Sequence, residues 1–418
     1  MKIKIKNKTY EEVLKLPSKK HKKPGRSMWL FRTLIRILSI IDLMKVKFSY
    51  QKIDMEKLSK KEPCLILMNH SSFIDLKIAS KLLYPRRYNI VCTDDGFVGK
   101  ELLMRLIGCI PTKKFINDVN LVRDMMYVVK KYRNSILLYP EASYSFDGTA
   151  TPLPDQLGKF LKLLKIPVVV IKTKGAFLRD PLYNGLQIRK TKISATMKYV
   201  LSKQDIVEKS VSELNEILRQ EFNFDNFIDQ QKNGVEIKEN FRADYLNRVL
   251  YKCSSCAEEG HMKGEGIYIT CEKCGKRHEL TTKGALKAID GKKTFTHIPD
   301  WYKWQRECVK QELENNIYSL NIEVDIYIMK DFKCIYYVGE GILKHDINGF
   351  VLTGCDDKLN YVHHPKTSYS LYSDFYWYEI SDVICIGDEK MRYYCCPKNV
   401  KDVVAKTRLA VEEIYKLK

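Results

Sequence analysis

The residues best placed to do chemistry follow an apolar run. CLILM (64–68) ends on Asn69-His70, and Asp75 stands five residues past the histidine in NHSSFID. A carboxylate on one imidazole nitrogen fixes the tautomer and leaves the other nitrogen as a general base. Residues five apart on a regular helix point about 140° away from each other, so the two side chains meet only if His70 lies before the helix. A strand ending at Asn69-His70 and a helix starting near Ser72 supplies that geometry, with Asp75 in the first turn. Ser72 and Asp75 also fit a capping box, Ser72 as N-cap and Asp75 at N3, and this role is compatible with the catalytic one. No G-x-S-x-G elbow is present, so the hydroxyl that the histidine activates need not come from the protein. Backbone N–H groups beside Ser71 and Ser72 are candidate oxyanion donors.

A second cluster lies downstream. Cys253-x-x-Cys256 and Cys271-x-x-Cys274-Gly, separated by fourteen residues, have the spacing of a zinc ribbon. Four thiolates fill a tetrahedral site and leave no open position, so the expected zinc is structural. His261 and His278 are then spare and expected to face solvent.

These residues need elements to hold them. CLILM (64–68), YNIVC (88–92), SILLY (135–139) and PVVVI (167–171) read as buried parallel strands. The helical patterns DLKIASKLL (75–83), GKELLMRLIG (99–108) and VNLVRDMMYVVKKY (119–132) lie between them. The fold class is therefore α/β, a mainly parallel sheet flanked by helices, in which active residues gather where strands end and helices begin. Residues 201–250 look helical and polar. Beyond about residue 290 the pattern turns to short strands and closes with a helix, VKDVVAKTRLAVEEIYKL (400–417), a β-rich module loosely resembling a pleckstrin-homology or GRAM-like barrel. The divisions are 1–50, a basic N-terminal segment with an amphipathic helix; 51–230, the α/β domain; 231–290, the ribbon; and 291–418, the β-rich domain.

Of a formal charge of +21, about half falls in residues 1–50, which hold fourteen Lys and Arg against three acids. KKHKKPGR (19–26) precedes MWLFRTLIRILSIIDLMKVKF (28–48), where Arg32, Arg36 and Ser39 make one narrow polar strip on an otherwise apolar helix. That reads as an interfacial helix on an anionic membrane surface, with its cations on phosphate, or alternatively as a core helix. The first residues lack an apolar signal core, and thirteen cysteines then indicate a reducing compartment, hence a cytoplasmic protein, peripheral on the inner face of the cell membrane.

NHSSFID resembles the N-H-x-x-x-x-D motif of the glycerolipid acyltransferases, the family of bacterial 1-acylglycerol-3-phosphate acyltransferases. Three further blocks follow in the family's order: KELLMRLIGCIPTKK (100–114), LLYPEASYSFDG (137–148) and KIPVVVIKTKGA (165–176). The resemblance implies a fatty acyl transfer from acyl-CoA or acyl-carrier protein to a lysophospholipid hydroxyl, most simply lysophosphatidate to phosphatidate. His70 would be the base, Asp75 its orienter, and Asn69, Lys113, Lys114, Glu141 and Tyr144 substrate-binding residues. Block three departs from the family, with Ala142 in place of the usual glycine and Tyr144 in place of the usual arginine. A tyrosine cannot form the charged bidentate fork that an arginine makes on phosphate. Either Lys113, Lys114 or a nearby arginine takes over, or the acceptor is another lysolipid or hydroxyl compound. A different class, a zinc-containing binding or regulatory protein with an inactive acyltransferase domain, stands as the rival. Nucleic acid is not an expected partner, because the positive charge concentrates beside the apolar helix and not on the glutamate-rich ribbon.

Overall fold

The computed structural model describes residues 3–17, 19–116, 118–292 and 294–418. Near the N-terminus lie β1 (Ile5–Asn7), α1 (Tyr10–Lys15) and α2 (Trp29–Lys45). The next elements are β2 (Ser49–Ile53), β3 (Leu65–Met68), α3 (Asp75–Leu83), β4 (Tyr88–Thr93), α4 (Glu101–Ile107), β5 (Cys109–Thr112), α5 (Val119–Tyr127) and β6 (Ser135–Leu138). They are followed by α6 (Leu157–Leu164), β7 (Val168–Lys174), α7 (Ala176–Arg179), β8 (Ser194–Leu201), α8 (Lys203–Glu208), α9 (Val211–Phe222) and α10 (Asn226–Lys232).

The seven strands β2 to β8 form one sheet in the order β2-β8-β7-β3-β6-β4-β5. Five neighbours, β7-β3-β6-β4-β5, run parallel, and β8 reverses direction against β7. The mainly parallel α/β layer expected from the apolar runs is present. Along β3 the side chains alternate between faces, Ile66 and Met68 toward α3 and Leu65 and Leu67 toward α6 and α9, and all four are fully buried.

β9 (Met262–Glu265), β10 (Tyr268–Cys271), β11 (Arg277–Leu280) and β12 (Leu286–Ala288) make a small antiparallel sheet. α11 (Ile298–Glu314) leads to β13 (Leu320–Met329), β14 (Ile335–Asp346), β15 (Gly349–Gly354), β16 (Leu359–His363), β17 (Tyr372–Trp377), β18 (Ser381–Gly387) and β19 (Arg392–Pro397). These strands are ordered β16-β15-β14-β13-β19-β18-β17, and α12 (Val403–Leu417) closes the chain. Not all of the strands beyond residue 290 are short: β14 runs for twelve residues.

Two expectations about residues 1–50 change. The segment is not one unit, because β1 pairs in parallel with β14, Ile5 opposite Ile335, and so belongs to the C-terminal sheet. α2 packs on α3 with its polar strip inward. Arg32 Nη1 donates to Arg86 O at 3.2 Å, Arg36 Nη1 donates to Lys81 O at 3.2 Å, and Ser39 is buried. The two guanidiniums thus satisfy carbonyls at the C-terminal end of α3 and the loop beyond it, where cations are favoured. They are not the phosphate contacts that the sequence suggested. The apolar side faces out, with Trp29 68%, Leu38 64%, Ile41 64% and Met44 71% exposed.

The strap before α2 is pinned to α4. Asn89 Nδ2 donates to both Gly25 O (2.9 Å) and Gly108 O (2.7 Å), and Met28 N donates to Leu106 O. Gly108 ends α4 in the left-handed region, φ +95°, and a Cβ there would lie 2.9 Å from Ser27 Cα. We expect Gly108→Ala to cost at least about 1 kcal/mol from the left-handed backbone alone, before the collision with Ser27. Calorimetry should show a lower Tm, and an unchanged Tm would contradict this packing.

Candidate active site and cysteine cluster

β3 delivers His70 just past its last residue, and α3 begins at Asp75 itself, so Asp75 is the first helical residue and not N3, and Ser72 is not the N-cap. The Ser72 hydroxyl still serves the turn by accepting from Ile74 N at 3.2 Å. His70 Nδ1 lies 3.1 Å from Asp75 Oδ2, and that oxygen also accepts Ser71 N at 2.8 Å and Ser72 N at 3.1 Å. The amides of Ser71 and Ser72 are therefore committed to Asp75 and are not free for an oxyanion. The Phe73 N–H has no partner among the described residues, and Phe73 lines the cavity in front of His70. Asp75 is buried, and its Oδ1 has no partner.

The imidazole is held between two aromatic rings, Tyr139 at 4.3 Å and Tyr144 at 3.9 Å between centroids. Burial pushes the His70 imidazole below its ordinary pKa, and the Asp75 contact pulls it partly back. A neutral ring with Nδ1 on a carboxylate has Nε2 as its open nitrogen, which has no partner among the described residues. Tyr144 also tilts against Phe73 at 5.4 Å.

Several expected site residues have other duties. Asn69 is buried and clips β3 to β7: Thr173 N donates to Asn69 Oδ1 at 2.8 Å, and Asn69 Nδ2 donates to Ser71 Oγ at 3.1 Å. Glu141 is also buried. It accepts the His70 N–H at 2.8 Å and both Thr151 donors at 2.9 Å, and burial pushes its carboxyl above the usual range. Neither residue lines the cavity, and both hold the turn that carries His70. Lys113 reaches out to Glu389 O on the C-terminal domain. Lys114 lines the cavity, its ammonium 4.5 Å from the Tyr372 ring centroid, and burial lowers its pKa. Of the five expected substrate contacts, Lys113, Lys114 and Tyr144 line the cavity.

The cavity measures about 1190 Å³ and runs from His70 between apolar walls that include Val91, Ile107, Leu138 and Phe160. Its roof was not visible in the sequence. Tyr369, Tyr378 and Tyr415, from the C-terminal domain, line the same space as His70. Asp180 was missed as well: it accepts from the Ser72 hydroxyl and pairs with Arg179 at 2.8 Å, and its carboxyl is pushed up to about 6 by burial. The only signal for it was a charged Arg-Asp pair closing an apolar stretch.

The four ribbon cysteines come together. Their Sγ atoms all lie within 4.8 Å of one another, with Cys253 to Cys274 at 3.7 Å and Cys256 to Cys271 at 3.8 Å. Zinc–sulfur bonds of about 2.3 Å in a tetrahedron put sulfurs about 3.8 Å apart, so the donor set fits. His261 is exposed as expected. His278 is not: it is fully buried, Nε2 2.8 Å from Thr294 Oγ1, packed edge-on to Trp301.

Residues 49–173 match the Acyltransferase family model. A crystal structure of the 1-acyl-sn-glycerophosphate (LPA) acyltransferase from Thermotoga maritima is similar at 12% identity and a TM-score of 0.37, over 46% of this chain and 76% of that one. No curated protein matches the sequence. The His70–Asp75 pair stands near the head of that matched segment, so residues 49–173 carry the acyltransferase domain that the family model describes.

Proposed function

We propose that the chain transfers a fatty acyl group from an acyl thioester to the free hydroxyl of a lysophospholipid, most simply lysophosphatidate to phosphatidate. The observation that carries this reading is the His70 Nδ1 contact with Asp75 Oδ2, which leaves Nε2 without a partner among the described residues, beside a long apolar cavity. Nε2 takes the acceptor hydroxyl proton as the oxygen bonds to the thioester carbonyl carbon. The carbon–sulfur bond then breaks, and the imidazolium returns the proton to the leaving thiolate. Oxyanion stabilisation falls to the Phe73 N–H, since its neighbours serve Asp75. Lys114 is the cation placed to meet an acceptor phosphate where Tyr144 replaces the arginine. The same replacement favours, as a second reading, an acceptor hydroxyl on another lysolipid.

The outward apolar side of α2 supports membrane contact at the cytoplasmic leaflet, although no described helix is long and apolar enough to cross a bilayer. The cysteine geometry supports one structural zinc. It would tie the ribbon to α11, where Trp301 Nε1 donates to Lys252 O at 3.0 Å and Gln305 brackets the same strand of chain.

His70→Ala should lower turnover by about 10²–10⁴-fold in folded protein. The base must be neutral to accept a proton, so kcat/KM should rise with pH and inflect below the ordinary imidazole value of 6.5. Asp75→Asn removes the upward pull on the pKa, so its residual activity should inflect lower still. An inflection above 6.5 in the parent chain would rule out this assignment.

Metal analysis should find about one zinc per chain, lost in Cys253→Ser or Cys271→Ser with a fall in Tm. Finding no metal in reduced, chelator-free protein would remove the zinc.

Leu38→Asp with Ile41→Asp should abolish flotation with anionic vesicles while sparing turnover of a short-chain soluble acceptor, because both side chains point away from the protein. Undiminished flotation would place the membrane contact elsewhere.

A further inference from the structure

A second groove, of about 510 Å³, follows the seam between the acyltransferase and C-terminal domains. It opens into the catalytic cavity, since Thr112, Lys113, Ile116 and Asp118 line both. Seven lysines and arginines against five acids line it, and the basic residues come from three separate stretches of chain. Lys19 comes from the N-terminal strap, Arg105 and Lys113 from the second block, and Lys330, Lys390 and Arg392 from the C-terminal sheet.

Five acids line the groove, and three of them are held by neighbours, while the buried Asp94 faces Lys19, Lys113 and Arg392. Asp124 is held by His21 Nε2 at 3.0 Å, Asp118 caps α5 through Leu121 N at 3.0 Å, and Asp331 accepts Lys333 N at 2.8 Å. Among the described residues, Lys330 and Lys390 have no carboxylate partner. The Lys19 ammonium lies on the Phe332 ring, 3.1 Å from its centroid, and burial pushes it down to about 8 against the opposing pull of Asp94. Arg392 is 3% exposed yet its Nε has no partner, and Arg105 Nη2 is likewise unpaired. Arg105 pairs with Glu101 at 2.8 Å, so the cations without a carboxylate partner are Lys330 and Lys390 at the mouth, and cations left so along a groove favour an anionic ligand.

The catalytic cavity is apolar and suited to acyl chains, while the adjoining groove is basic and supplies what an acyl chain does not need. We propose that this groove holds the phosphate end of the donor's 4′-phosphopantetheine arm, so that the thioester passes over the Thr112–Lys113 rim toward His70. This rests on the acyl-transfer reading above. The arm is common to coenzyme A and to acyl-carrier protein. The C-terminal domain would then complete the donor site as well as roof the acceptor cavity, and Lys330 and Lys390 would be donor-binding residues that no motif of the acyltransferase domain contains.

The test titrates coenzyme A, without acceptor, into the full chain and into the pair Lys330→Glu with Lys390→Glu, whose side chains contribute nothing to a core. The pair should weaken coenzyme A binding by about tenfold or more, equivalent to one charged contact or greater. It should raise KM for the acyl donor in step, with kcat and KM for the lysophospholipid unchanged. Pantetheine lacking phosphate should bind both proteins alike. Equal affinity for 4′-phosphopantetheine and coenzyme A would show that the arm alone is read, as a carrier protein would present it. Tighter coenzyme A would show that its nucleotide is read too. If no acceptor supports turnover but the pair still loses coenzyme A, the groove stands and the acyl-transfer reading falls. Undiminished coenzyme A binding in the pair, or a rise confined to the acceptor KM, overturns the proposal.

Discussion

One carboxylate oxygen organises the centre of this molecule. Asp75 Oδ2, on a buried side chain, collects the His70 imidazole and two successive amides, Ser71 and Ser72. Removing that acceptor would strand buried donors at about 1–3 kcal/mol each, so the turn can be held in this shape only while the aspartate is in place. The rest of the turn follows from it. Glu141 fixes the His70 backbone from one side, Asn69 locks β3 to β7 beneath it, and Asp180 takes the Ser72 hydroxyl. Each of these buried polar groups touches its neighbour and not a ligand, which is how a single histidine acquires a defined position without a protein nucleophile.

What the sequence made legible was local. CLILM, YNIVC, SILLY and PVVVI are dense apolar runs whose length excludes helices, and each is a strand. NHSSFID carries its own geometry because five residues separate the two side chains, and the C-x-x-C pairs carry theirs. β5 was invisible because Cys-Ile-Pro-Thr is four residues long with a proline inside. The partners of Glu141 could not be read from the motif, which shows its presence and not what it holds. The orientation of α2 was inverted for a physical reason. An arginine strip on an apolar helix satisfies backbone carbonyls as readily as phosphates, and only the location of α3 decides between them.

The longest-range features were beyond any pattern. Tyr372 donates to Asp95, Trp377 Nε1 lies 3.4 Å from the same carboxylate, Phe146 meets Phe375 at 4.4 Å, and Arg392 holds Lys114 O at 3.0 Å. These contacts tie the C-terminal sheet to Asp95 and to the second and third blocks, so a region that reads as an appendage is part of the wall around His70 and Asp75. The neighbouring aromatics Trp377 and Tyr378 divide between two tasks, Trp377 packing inside while Tyr378 faces the cavity.

The parallel pairing of β1 with β14 has a consequence for the order of events during synthesis. Ile5 finds its partner only once Ile335 exists, and at about 5–20 residues per second that wait lasts on the order of tens of seconds on the ribosome. The sheet of the acyltransferase domain can be assembled by then, with its catalytic turn formed and its cavity still unroofed. Closure is therefore a late event in which the newest part of the chain captures the oldest, and a chain halted between the two domains would present an open, apolar cavity to the cell.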